Sequence, residues 1–127
     1  MSGFLLDTNV LIAVINQSVD RLPLRIRTPL HDPESRLVVS VVSPWEIAIK
    51  SSLGKLALKR PVTQIESMVF GMGASILALS LDQALEVAYP EPATKDPFDR
   101  LLIAICACEG LKLLTTDSHL AGHRFVH

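Results

Sequence analysis

The chain has 127 residues, enough for one hydrophobic core and too few for two. Hydrophobic residues make up 49% and aromatic ones only 5%, so Leu, Ile, Val and Ala build the core, which suits a layered α/β protein better than an all-β sandwich. With 12 basic and 13 acidic side chains the net charge is −1, which excludes the basic footprint of a protein gripping duplex DNA unaided, but not a nuclease that borrows charge from bound cations.

Phe4-Leu5-Leu6 is a short apolar run ending at Asp7 and predicts a first strand, followed by a helix over 10–15. Residues 17–35 hold three prolines, Arg21, Arg25 and Arg27 without clear periodicity, and read as a surface helix or loop. Leu37-Val38-Val39-Ser40 does not alternate, as expected of a strand covered on both faces. Ser43-Pro44-Trp45-Glu46 carries a helix start, with Ser at N-cap, Pro at N1 and Glu at N3, and the helix runs to about Leu53 and stops at Gly54.

A further helix is expected from Pro61 to about Phe70, then a strand at Ile76-Leu77-Ala78-Leu79. Ser80-Leu81-Asp82-Gln83 is a capping box opening a helix to about Tyr89. Asp96-Pro97-Phe98-Asp99 repeats the start signature before a strongly apolar helix that ends at Glu109, with Gly110 as its stop. A strand over 111–115, a short helix from Ser118 and an edge strand over 124–127 complete the reading. Strands separated by helices predict an α/β domain with a central, mainly parallel sheet flanked by helices.

Cys106 and Cys108 lie two apart in a helix and cannot pair; both read as buried small hydrophobes in a reducing compartment. The start of the chain lacks the basic region of a signal peptide. The longest uncharged run, 67–81, is shorter than the ~20 residues that span a bilayer. A soluble, cytoplasmic protein is expected, with no membrane partner. Its positive mean hydropathy predicts apolar surface left for a second copy or a protein partner.

Asp7 and Asp117 each follow a predicted strand at its carboxyl end, where ligands bind in open α/β sheets. Glu46 and Asp99 lie in first turns of helices whose N-termini face the same rim. Taken singly, each acid also reads as a helix cap, and Glu46 as the partner of Lys50 four residues on. Capping does not account for all four at one rim. Asp96 is a strong N-cap and a spare fifth acid. His119, His123 and His127 recur every four residues, but Gly122 and Phe125-Val126 argue against a helix there, so they read as exposed tail histidines rather than a zinc site.

The stretches FLLDTNVLIAVI, SVVSPWEIAIKSSLGKLAL and KDPFDRLLIAICACEGLKLLTTD resemble the three motif blocks of PIN-domain proteins of the VapC toxin type, from Phe4 to about Leu120. The resemblance implies a single PIN domain over 1–127, with a three-layer fold. It also implies that Asp7, Glu46, Asp99 and Asp117 are the catalytic and metal-holding acids. Thr8, Ser43 and Thr115 become candidates for positioning water or phosphate, with Asp96 and Arg100 in supporting roles. Ala93-Thr94 replaces a His-rich approach to the DPFD block.

Phosphodiester hydrolysis brings negative charge against negative charge, so the site needs a cation and an activated water. Mg²⁺ or Mn²⁺ on oxygen ligands meets both needs. Arg100 and Lys95 are candidate phosphate contacts, and Lys50, Lys55, Lys59 and Arg60 a second basic strip. The implied function is a ribonuclease toxin, working as a homodimer on RNA and silenced by a cognate VapB-like antitoxin. The alternatives are a housekeeping PIN-like RNA or DNA nuclease and a catalytically silent PIN scaffold that only binds.

Overall fold

The computed structural model describes residues 3–127. Four strands, β1 (Gly3–Leu6), β2 (Arg36–Ser40), β3 (Ser75–Leu77) and β4 (Lys112–Leu114), form one all-parallel sheet in the order β3-β2-β1-β4. Six α-helices flank it: α1 (Thr8–Ile15), α2 (Leu24–His31), α3 (Val42–Ser52), α4 (Ile65–Gly71), α5 (Leu81–Leu85) and α6 (Pro97–Glu109).

Alternate residues of each strand feed two separate cores. Phe4, Leu6, Leu37 and Val39 pack with Val10, Leu11, Ile26 and Ile47 from α1, α2 and α3. Leu5, Val38 and Leu113 point the other way, onto Leu102, Ile103 and Ile105 of α6. Both faces of the sheet are therefore covered, which is why its strands are uninterrupted apolar runs. The result is a three-layer α/β protein, as the strand and helix spacing predicts.

β1 is central, and the chain leaves it for β2 on one side and reaches β4 on the other. The crevice beyond the carboxyl ends at such a switch point is where open parallel sheets bind ligands. The Asp7 amide donates to Leu114 O at 2.9 Å, so the ends of β1 and β4 stay in register up to that crevice.

Several expectations are corrected. α3 begins at Val42 with Val41 before it, so Ser43 is no N-cap and Glu46 no capping-box partner. The reason lies one turn earlier: Ser40 Oγ accepts from the Val42 amide at 3.2 Å, and Val42 is itself buried in the second core. Pro44 then sits within the first turn, where an absent N–H costs nothing. Residues 17–35 are not simply surface, because Ile26 of α2 is fully buried.

The capping box at Ser80 and Gln83 is present in both directions, but α5 stops at Leu85 rather than near Tyr89. Glu86 turns extended there, and Ala88 is drawn into the second core ahead of Pro90 and Pro92. Residues after Ser118 form turns instead of a helix, and the expected edge strand shrinks to one bridge between Val126 and Leu113. Cys106 is buried, whereas Cys108 is exposed. Gly110 closes α6 at φ +67°, a conformation that costs glycine little. Among the described residues no helix is long and apolar enough to cross a membrane.

Candidate active site

Asp7 ends β1 and caps α1 at once. Its Oδ1 accepts from the Thr8 amide at 2.7 Å and its Oδ2 from the Thr115 hydroxyl at 2.6 Å, with only 4% of the residue exposed. Each oxygen keeps a lone pair beyond these bonds. Burial raises its pKa above the ordinary carboxylate value; the two hydrogen bonds oppose that, and the charges of Glu46 and Asp117 add to it.

Thr8, in the first turn of α1, links Asp7 to α3. Its hydroxyl lies 2.7 Å from Glu46 Oε1 and 3.0 Å from Ser43 Oγ, all three residues being buried. The other Glu46 oxygen accepts from Lys50 Nζ at 2.7 Å, the expected i,i+4 pair. That contact raises the Lys50 pKa, and the more distant charges of Asp96 and Asp99 act in the same sense. Ser43 therefore has a buried place beside Glu46 through Thr8, even though it does not cap the helix.

Thr115 follows β4. While donating to Asp7, its hydroxyl accepts from the Asp117 amide at 3.0 Å, so one side chain sets the spacing of two acids. Asp117 does not cap a helix: its Oδ1 accepts from the His119 amide at 2.9 Å and lies 3.1 Å from His119 Nδ1. These contacts, the backbone one foremost, lower its pKa.

Asp99 occupies the first turn of α6, where Asp96 is the N-cap and accepts from the Phe98 amide at 2.9 Å. Asp99 makes no return bond to the cap; it accepts from the Thr94 hydroxyl at 3.4 Å and interacts directly with the Asp117 side chain. Its pKa is pushed up to about 7, by burial first and then by the charges of Asp96, Asp7 and Asp117. Four separate segments thus bring Asp7, Glu46, Asp99 and Asp117 to one rim, with Asp96 beside Asp99.

The basic candidates fare unevenly. Arg100 turns to Glu91 and to Thr94 O, at 3.1 Å for the latter, and Arg60 reaches Gln64 at 3.4 Å. Arg25 was not singled out by the sequence, yet its guanidinium donates to Thr115 O at 3.0 Å and stands a cation at the end of β4. No periodicity in the proline-broken stretch around it points there.

The chemistry of the donor set fits a hard divalent cation: hydroxyls and carboxylates only, with more negative charge than Lys50 offsets. As placed, no three His, Cys, Asp or Glu groups among the described residues close into a cage. A few carboxylates with several retained waters are nevertheless the usual seat of Mg²⁺.

An all-parallel three-layer α/β domain with carboxylates gathered at the switch point of its sheet is of the class that binds ligands beyond the strand ends. The chain belongs to the PIN domain family, whose model matches residues 4–125. PIN domains are generally nucleases, hydrolases of phosphodiester bonds. No curated protein matches the chain.

Proposed function

We propose that the chain is a metal-dependent endoribonuclease that hydrolyses RNA phosphodiester bonds, acting as the toxin of a VapBC-type pair. The observation that carries the nuclease reading is the linkage of acids from separate segments of a PIN-family chain: Thr115 joins Asp7 to the Asp117 amide, and Thr8 joins Asp7 to Glu46. The toxin role rests on the resemblance of the motif blocks alone.

Asp7, Glu46, Asp99 and Asp117 would hold Mg²⁺ or Mn²⁺, which supplies positive charge for the transition state and acidifies water. The chain's own residues then have defined tasks. Thr115 fixes Asp7 relative to Asp117, Thr8 fixes Glu46 relative to Asp7, and Lys50 holds the far oxygen of Glu46. Asp99, raised to about 7 by burial and by its acidic neighbours, is the acid whose charge a bound cation would relieve most. A homodimer and a VapB-like antitoxin covering the apolar surface belong to the same reading, as does a cytoplasmic location.

Cleavage of a panel of structured RNAs with Mg²⁺ or Mn²⁺, with and without chelator, tests it. Cleavage is expected only with the cation. Asp7→Asn should lower it by at least ~10²-fold, above the ~10–100-fold typical of losing a supporting partner. A folded Asp7→Asn variant that cleaves normally would remove the assignment.

A further inference from the structure

The two residues that precede Glu46 and Asp99 in the chain are both aromatic. Trp45 and Phe98 meet across the first turns of α3 and α6, with ring centroids 5.6 Å apart and planes inclined by 53°. Phe98 is partly buried and packs onto the second core. Trp45 is the chain's one tryptophan and stays 60% exposed. A pair serving only to brace two helices would bury its larger ring, where apolar area is worth most. Here the smaller ring is anchored and the larger one stands in solvent, in the helical turn that carries Glu46 and against the turn that carries Asp99.

Three cations near the rim are already engaged: Lys50 with Glu46, Arg100 with Glu91, and Arg25 with Thr115 O. With a net charge of −1, phosphate attraction offers this protein little affinity for a strand. An aromatic face supplies affinity that charge does not, because every base has a π-face to stack on it. A base inside a duplex has both faces covered and cannot use it.

We propose that Trp45, seated on Phe98, is a stacking platform for one unpaired nucleobase of a single-stranded RNA whose backbone enters the acidic cleft. This rests on the ribonuclease reading and names a base-contacting residue for it.

Tryptophan emission offers a direct readout. The probes are four ten-nucleotide homopolymers of A, C, G and U, an abasic ribose-phosphate strand of the same length, and a ten-base-pair RNA duplex, all added to the full chain in chelator. At least one homopolymer is expected to quench Trp45 saturably, while the abasic strand and the duplex do not. Trp45→Ala, with its melting temperature checked, should bind the labelled homopolymer about ten-fold more weakly, equal to ~1.4 kcal/mol. Trp45→Phe should recover most of that affinity, and the salt dependence should be shallow.

Equal quenching by the abasic strand or duplex, no homopolymer binding, or unchanged affinity in folded Trp45→Ala would each overturn the platform. So would an emission shift that follows protein concentration and not RNA, since a second copy would then cover the ring. Trp45-dependent binding without cation-dependent cleavage keeps the platform and removes the ribonuclease. Cleavage indifferent to Trp45 does the reverse.

Discussion

The two walls of the cleft are built on opposite plans. On the β1/β4 wall, Asp7 is nearly sealed from solvent and both its oxygens are taken by donors at 2.6 and 2.7 Å. On the α6 wall, Asp99 is half-open, has one weak donor at 3.4 Å, and feels three other carboxylates. One wall is fixed by hydrogen bonds before any ligand arrives, and the other is held apart by like charge. A rigid seat facing a charged, under-bonded one suits a site that a cation completes, because the ion's charge is worth most where repulsion is unrelieved.

Removing the supporting hydroxyl of each wall in turn should expose that difference. Thr115→Val takes away the donor to Asp7 and the acceptor for the Asp117 amide together. It should lower cation-dependent cleavage by ~10–100-fold and stability by ~1–3 kcal/mol, with Thr115→Ser restoring much of both. Thr94→Val on the other wall removes only the long bond to Asp99 and the Asp96 amide's acceptor, both near solvent. Its stability cost in urea or thermal melts should stay under ~1 kcal/mol. Equal losses from the two variants would abolish the distinction between the walls.

A smaller effect should come from the cation itself. At ten times its dissociation constant, Mg²⁺ should stabilise the chain by ~1.4 kcal/mol, read as a rise in melting temperature. If Asp99→Asn leaves that rise untouched, the α6 wall takes no part in holding the ion.

The walls also differ in how far they can be read from the sequence. Strand ends at Asp7 and Asp117 and the start of α6 follow from apolar runs and cap residues, which are local signals. The start of α3 does not: the Ser-Pro-x-Glu pattern is a sound local signature, but the burial of Val42 and the nearer acceptor Ser40 override it. Thr8 and Thr115 look like ordinary first-turn and strand-end residues, and only the fold shows that each joins two acids, Thr8 reaching Glu46 38 residues on and Thr115 reaching Asp7 108 residues back. Arg25 was hidden for a related reason, since its role depends on where α2 packs and not on any pattern within α2.

Asp99 gives the finest test of the loose wall, through pH. In the unfolded chain its carboxyl titrates near the ordinary 3.8; in the fold it is pushed up to about 7, by burial first and then by its acidic neighbours. Between those values the folded chain keeps a proton that the unfolded chain releases, so stability falls as pH rises across the window and levels off above it. Asp99→Asn cannot ionise and escapes this loss. In chelator it should therefore be more stable than the parent at pH 8, by about 1–2 kcal/mol once solvent screening of a half-open group is allowed for. The advantage should shrink as pH falls and vanish below about pH 3, where Asp99 is neutral in both states. Asp117 works in the opposite direction, its lowered pKa adding stability that is lost only as pH drops below the ordinary carboxylate range; because the two acids interact directly, the substitution reads the pair, with the loss above pH 4 belonging to Asp99. Added Mg²⁺ should narrow the pH 8 gap by relieving the parent's repulsion. A gap that stays flat from pH 4 to 8 would mean that Asp99 ionises freely, and that the two walls are less unlike than their hydrogen bonds imply.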